Sequence, residues 1–379
     1  METQSKLMNN TSENKGLFFG FILSISQLNI VYGLPVVLFF ILLFSETKAL
    51  KNKNKRLFFL LIFQIIWMTA IFLFFPSNFN HYIKNINVFI IILLILISKF
   101  DLKFLIGLSK SLIILFIVDF IFNLFSFFLG FDPLGRQPQM RPDDVVERLG
   151  GIFGHSFFSL NISFIGLIAS YISRKKVIFV CAIVNILLIG ILRGYLILLL
   201  LVIAFYIVKK GVSYFKLKVI SILFATSVFI GTFYTVSLQL SQANLMRVYA
   251  WLISILGISE NLLVGKHDFM YDDKFDSVSF ETIYYYGITE SQYLELGLHY
   301  GLLSMIALLV IMFNLFSISY NSFKNSKVED FKMNKITLIS TFIIFTDLFF
   351  GSIFGSTLTT VFFVILIVTD KSSHNMKEA

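Results

Sequence analysis

The stretch L-F-F-L-L-I-F-Q-I-I-W-M-T-A-I-F-L-F-F, Leu57–Phe75, carries no charge and is apolar on every face. Its length matches the roughly 20 residues that a helix needs to cross a bilayer core. With no water to satisfy it there, such a segment must bond its own amides, which makes it a helix. A barrel strand would instead alternate apolar and polar residues. Comparable runs recur at Phe104–Gly130 and Val219–Leu238. The chain as a whole agrees: 57% of its 379 residues are hydrophobic, 47 are Phe and only 14% are charged. That charged share is about half the usual one for a soluble domain. Lipid must therefore be the solvent for most of the surface.

Outward from these runs, the basic residues fall into four groups. Lys48, Lys51, Lys53, Lys55 and Arg56 form the first, and Arg174, Lys175 and Lys176 the second. Lys209, Lys210, Lys216 and Lys218 follow, and then Lys324, Lys327, Lys332 and Lys335. Short basic loops between apolar runs are the positive-inside pattern and not a nucleic-acid stripe, despite a net charge of +9. Placing all four groups in the cytoplasm gives an all-α polytopic bundle of twelve transmembrane helices with both termini inside. The spans lie near 17–31, 34–45, 57–75, 86–98, 104–129, 153–172, 177–192, 195–208, 219–238, 298–319, 336–352 and 355–369. Residues 16–45 could alternatively form one tilted helix broken at Gly33-Leu34-Pro35, giving eleven spans.

The polar stretch Met1–Lys15 lacks a small-residue cleavage site, so the first apolar run reads as a retained helix. The single cysteine, Cys181, lies mid-helix, which leaves no disulfide framework and no thiolate metal site. The expectation is a single transmembrane domain over 1–379 with two outer segments. One covers 131–151. The other, 239–297, is a large extracytoplasmic loop between the ninth and tenth spans and holds eight of the 22 carboxylates. Loops this long are usually functional. Within it, M-R-V-Y-A-W-L-I-S-I-L-G (Met246–Gly257) reads as a short helix on or dipping into the membrane surface.

Arginine and lysine sort to opposite sides in this topology. Of seven arginines, Arg136, Arg141, Arg148, Arg193 and Arg247 fall outside, whereas 20 of 24 lysines fall inside. Insertion reads positive charge of either kind, so topology cannot separate the two. The planar guanidinium fork suits bidentate binding of phosphate or carboxylate. Arg193 marks a tight turn within the apolar stretch I-L-L-I-G-I-L-R-G-Y-L-I-L-L-L-L-V (Ile186–Val202). A single such residue can simply snorkel to the headgroups. Five outside point to an anionic substrate. Arg136 and Arg141 share a Pro-rich turn with Asp132, Asp143 and Asp144, where local ion pairing explains them. Asp119 and Asp347 sit inside apolar runs, where a charge is expensive and a function is the default reading.

The motif order is R-L-G-G-I-F-G-H (Arg148–His155), an Arg-Gly turn (Arg193-Gly194), R-x-x-x-W (Arg247, Trp251), L-L-V-G (Leu262–Gly265) and E-S-Q-Y-L-E-L-G-L-H-Y-G-L-L (Glu290–Leu303). In that order, spanning Arg148 to Leu303, the chain resembles the O-antigen polymerase and ligase superfamily of bacterial envelope glycosyltransferases, and within it the Wzy-type polymerases. The resemblance implies a multi-pass enzyme of the bacterial cytoplasmic (inner) membrane with a GT-C-like fold. Its active site would face the periplasm or cell exterior, and it would need no bound metal or cofactor. Donor and acceptor would be undecaprenyl-diphosphate-linked oligosaccharides, with membrane lipid and a chain-length regulator protein as further partners. It assigns Arg193, Arg247 and Glu290 to catalysis, and Arg148, His155, Tyr293 and His299 to substrate binding. The ligases carry a histidine three positions before the Tyr-Leu-Glu stretch, where this chain has Glu290-Ser291. That departure favours a polymerase over a ligase and makes Glu290 the candidate base. As solvated loop carboxylates, Glu290 and Glu295 would need no such role. His155 and His299 flank helix starts, where a capping or packing role is the common one. From another class, a transporter of lipid-linked sugars would also have about twelve helices, with Asp119 and Asp347 as relay groups. The long extracytoplasmic loop before the tenth span discriminates, because transporters with paired halves show internal symmetry and lack such a loop.

Overall fold

The computed structural model describes residues 2–26, 30–44, 46–47, 52–75, 79–134, 149–152, 155–190, 192–209, 211, 213–237, 242–265, 291–326, 331–347 and 357–369. Thirteen helices hold nearly all of them: α1 (Glu2–Ile25), α2 (Ile30–Phe44), α3 (Asn52–Phe74), α4 (Phe79–Ile97), α5 (Leu102–Leu129), α6 (Ser156–Ile172), α7 (Lys176–Ile189), α8 (Leu192–Lys209), α9 (Tyr214–Ser237), α10 (Gln242–Glu260), α11 (Gln292–Lys324), α12 (Phe331–Asp347) and α13 (Thr357–Val368). Four carry segments long and apolar enough to cross a membrane: Lys55–Phe74, Leu102–Leu129, Tyr214–Gly231 and Tyr293–Lys324. Five shorter apolar helices lie at Asn85–Ile97, Ser156–Ile172, Lys176–Ile189, Gly194–Tyr206 and Leu358–Val368. Their bare apolar faces, such as Phe59, Ile66 and Leu73 on α3, are what a helical membrane bundle turns to lipid.

Cross-helix contacts fix the direction of each element. Gln64 Nε2 of α3 donates to Ser304 Oγ, and Trp67 Nε1 donates to Tyr300 O at 2.9 Å, so α3 and α11 run antiparallel. Tyr214 at the start of α9 packs on Phe316 and Tyr320 late in α11, which makes that pair antiparallel too. Tyr171, Phe179 and Phe205 bring together the end of α6, the start of α7 and the end of α8. A two-residue ladder, Glu46–Thr47 against Ser98–Lys99, ties the α2–α3 connection to the α4–α5 connection. These contacts gather Lys55, Arg56, Lys99, Lys103, Arg174, Lys175, Lys176, Lys209, Lys218 and Lys324 at one end of the bundle. That end is the lysine end hereafter.

The first helix differs from expectation. The apolar run predicted at 17–31 is the second half of a longer helix that begins at Glu2, and Gly33-Leu34-Pro35 falls inside α2 instead of breaking the pair. The polar first half is held by α5. Ser12 Oγ donates to Asp101 Oδ1 at 2.6 Å, and Lys110 pairs with Glu13. Closer still, a Cβ on Gly16 would lie 2.1 Å from Phe104 O, and one on Gly107 would lie 2.0 Å from Glu13 O. This is a small-residue crossing, with Gly16 and Gly20 of G-L-F-F-G set against Gly107 and Ser111. Without apolar gain between helices in lipid, such close van der Waals contact supplies the association.

Residues 242–265 and 291–297 are the described part of the 239–297 segment. It contains the 19-residue α10, longer at both ends than the Met246–Gly257 helix expected, and α11 starts at Gln292. Of the two devices that join α1 to α5, backbone contact should outweigh charge. Overpacking a tight interface costs about 1–3 kcal/mol, whereas a partly exposed ion pair contributes about 1 kcal/mol or less. Gly107→Leu is therefore expected to lower the melting temperature of the detergent-purified protein well below that of Lys110→Ala, read by thermal unfolding of both.

Candidate functional site

The candidate residues that are described lie at helix ends facing away from the lysine end, and the described contacts build two groups there. The first is built around Asp119 of α5, which is completely buried. Its Oδ1 accepts the backbone N–H of Ile152 at 3.0 Å, and its Oδ2 accepts the hydroxyl of Ser159 at 2.6 Å. Asn123, one turn further along, reaches Ser159 Oγ at 2.7 Å and Asn185 Oδ1 of α7 at 3.0 Å. Its own Oδ1 accepts Gly151 N–H at 2.9 Å. Asn185 Nδ2 continues to Ser163 Oγ at 2.8 Å. The network thus joins three helices and the Gly151-Ile152 backbone inside the R-L-G-G-I-F-G-H motif.

That wiring explains why the motif has glycine at position 151. The chain must come down onto a buried carboxylate between α5 and α6, and a Cβ on Gly151 would lie 2.0 Å from Asp119 Oδ1. His155 then caps α6, its Nδ1 accepting Phe157 N–H at 3.2 Å while its ring meets Phe158. Gly194 sits where α8 begins, close enough to α7 and α6 that a Cβ would meet Ile186 and Leu160 at 3.0 and 3.2 Å. The first turn of α8, which includes Arg193, is thereby placed beside the same cluster. Lys110 engages Glu13 and not Asp119, so the two buried-run charges belong to separate systems.

The second group is formed by α10, α11 and the turn 261–265. Ser291 caps α11 through Leu294 N–H, and Glu295 in the first turn is buried, not solvated. Tyr293 is buried in the core, and Tyr300 is buried among Asn85, Tyr82 and Glu295. His299 is half-buried with its ring near Tyr300. Helix α11 breaks at Gly301 (φ 80°, ψ 169°), a backbone region open essentially to glycine alone. The amide freed beyond the break is taken up by the turn, with Leu302 N–H donating to Leu262 O at 2.8 Å. Gly265 (φ 75°) lies against the α11 backbone, where a Cβ would meet Leu298 O at 2.3 Å. The L-L-V-G and H-Y-G-L-L motifs are thus one interlocked unit. Trp251 of R-x-x-x-W supports it from behind, stacked on Phe229 of α9 at 4.4 Å.

Arg193 and Arg247 lie in α8 and α10, with their side chains outside the described set. Arg136, Arg141, Arg148 and Glu290 also lie outside the described residues, as does the side chain of Asp347. No group of three or more His, Cys, Asp or Glu able to hold a metal ion occurs among the described residues. The Asp119 partners and the Gly265–Gly301 contact were not read from sequence. The signals were Asn123 one turn after Asp119, the Ser159/Ser163 pair, and the glycines Gly151, Gly265 and Gly301 within the motifs. Comparison of the chain with known protein families and with characterised proteins finds no match in either.

Asp119→Ala would strip the acceptor from the Ile152 N–H, the Ser159 hydroxyl and the Asn123 carboxamide, each loss at a buried donor costing roughly 1–3 kcal/mol. It should lower the melting temperature and the amount of protein accumulating in membranes, with Asp119→Asn intermediate because it keeps one acceptor oxygen. Gly301→Ala should be at least as damaging. It would strain the backbone by about 1–3 kcal/mol and would set a Cβ 2.0 Å from Leu263 O.

Proposed function

We propose that the chain is a metal-independent, multi-pass glycosyltransferase that polymerises oligosaccharide repeat units carried on undecaprenyl diphosphate. In this reading twelve helices span the bacterial cytoplasmic membrane in a GT-C-like arrangement, and α10 does not cross. The lysine end is cytoplasmic, and chemistry occurs at the opposite, periplasmic or extracellular, face. The product is O-antigen or a capsule-type polysaccharide. The observation that carries the reading is the sorting of charge. Lysines gather at one end of the bundle, while α8 and α10, the helices of Arg193 and Arg247, begin at the other.

Chemically, an acceptor sugar hydroxyl attacks the anomeric carbon of the donor. The new glycosidic C–O bond forms as the bond to the diphosphate breaks. Glu290 takes the hydroxyl proton, and Arg193 and Arg247 stabilise the charge left on the departing diphosphate. Arg148 assists with the diphosphate or with the second carrier. His155, Tyr293 and His299 lie beside these motifs, and of the three His155 is the exposed one. A transporter reading drew on Asp119 as a relay group. The donors converging on Asp119 give it an anchoring task instead, which removes half of that support.

The test is elongation in vitro. Purified protein given undecaprenyl-diphosphate-linked repeat units should produce a ladder of longer lipid-linked glycans. Movement of the units across the bilayer without elongation would overturn the proposal. Arg193→Ala and Arg247→Ala should each abolish the ladder at unchanged protein level, with Lys a poor substitute because the fork is lost. Glu290→Gln should do the same if that carboxylate is the base.

A further inference from the structure

We infer that the α8–α9 turn, with the neighbouring ends of α11 and α12, forms a binding site for the phosphate headgroup of an anionic membrane lipid. Its cations are Lys209, Lys216, Lys218, Lys324 and Lys335. The inference rests on the lysine end lying at a membrane surface and not on glycan transfer, so the two can fail separately.

The sequence across the turn, K-K-G-V-S-Y-F-K-L-K (Lys209–Lys218), holds four lysines and no carboxylate. Lys209 closes α8, where a cation suits the negative end of the helix dipole. Lys216 and Lys218 do the opposite. They are the third and fifth residues of α9, at its positive end, and no acidic residue occupies that first turn. Cations added to a helix start are repelled by it unless an anion sits beside them. Among the described residues Lys209, Lys216 and Lys218 meet no carboxylate, the ion pair there being Lys110 with Glu13. Glu329 and Asp330, in the α11–α12 connection, lie outside the described residues.

Two of the ammonium groups are held in place. Lys218 Nζ lies 4.2 Å from the ring centre of Tyr214 and 4.5 Å from that of Phe313. Tyr214 is itself fixed, its hydroxyl donating to Phe313 O at 3.1 Å and its ring packed on Phe316 and Tyr320, one turn before Lys324. On the α8 side, Lys335 Nζ lies 5.2 Å from the ring centre of Phe205, one turn before Lys209. Each is the last charge before its helix turns apolar, at Val219 and at Ile336. A lysine at that boundary bends its ammonium out of the hydrocarbon, toward the lipid phosphates. Seating on a ring removes side-chain freedom that an anion would otherwise have to take away on binding. What lies beside the cations selects a lipid over a dissolved anion. Phe215, Val219, Ile222 and Leu223 form an exposed apolar stripe along α9, starting between Tyr214 and Lys216. A headgroup on the lysines lays its acyl chains along that stripe, which a dissolved phosphate leaves unused. Five cations around one turn suit a lipid with two phosphates better than a lipid with one.

The experiment uses the full chain purified in uncharged detergent and titrated with diphosphatidylglycerol, phosphatidylcholine or inorganic pyrophosphate. Binding is read by native mass spectrometry and by the melting temperature. Diphosphatidylglycerol should be retained and should raise the melting temperature, whereas phosphatidylcholine and pyrophosphate should do neither. Lys216→Gln/Lys218→Gln/Lys335→Gln should weaken that binding at least about tenfold, since each lysine at a membrane surface adds to the attraction. Lys55→Gln/Arg56→Gln/Lys176→Gln removes as many charges from the same end and should change it less than about twofold. As a milder pair, Lys218→Gln should bind the lipid more weakly than Lys218→Arg, with both melting like the unaltered protein in its absence. An equal loss in both triple variants would overturn the inference, because it would mean a general attraction to a basic face. Equal retention of phosphatidylcholine would overturn it too. Pyrophosphate raising the melting temperature as much as the lipid would overturn the choice of a lipid.

Discussion

Hydrocarbon cannot hydrogen-bond, so each amide or carboxyl in this bundle needs a partner from the protein or from trapped water. Regular helix satisfies most of them. The informative places are those where the helix is interrupted or an ionisable group lies inside. At Gly301 the ladder of α11 breaks, and Leu302 N–H is taken up by Leu262 O from a different part of the chain. At Asp119 a carboxylate inside an otherwise apolar helix is surrounded by a backbone N–H, a hydroxyl and a carboxamide. Both solutions use segments that the chain order keeps far apart, and each thereby fixes a non-helical stretch of backbone against a helix.

The same constraint explains how the helices associate. Between lipid-exposed helices, burying apolar surface gains little, because lipid tails are as apolar as leucine. Association then depends on close approach and on polar contacts. In α1 and α5 the approach is near enough that glycine is the only fit at Gly16 and Gly107. In α5, α6 and α7 polar side chains supply the joint, with Asn123 and Asn185 at its centre. A bundle joined in this way holds the Gly151-Ile152 backbone firmly against α5.

The arginine sorting acquires a physical setting from these joints. Gly194 seats the start of α8 against α6 and α7, beside the Asp119 network. Trp251, stacked on Phe229, seats α10 four residues beyond Arg247. Each arginine proposed to bind the diphosphate therefore lies within four residues of one whose packing fixes its helix. For a long side chain that must meet an anion with a two-pronged geometry, a fixed base reduces the entropy lost on binding.

From the sequence alone, the apolar runs determined helices, their approximate number and their alternating direction, because lipid allows a 20-residue apolar segment few other forms. The basic clusters marked one end for the same reason. The sequence also marked the motifs but not their purpose. R-L-G-G-I-F-G-H did not reveal that its Gly151 lies on Asp119, nor did L-L-V-G that it closes the break at Gly301. The polar start of α1 read as a flanking stretch, although G-L-F-F-G signalled a crossing. Glu295 read as a solvated carboxylate and is buried. In each case the deciding partner lies tens to hundreds of residues away, and local periodicity carries no information about it. Only the tertiary structure decides which buried donor meets which acceptor, because that depends on how the helices are brought side by side.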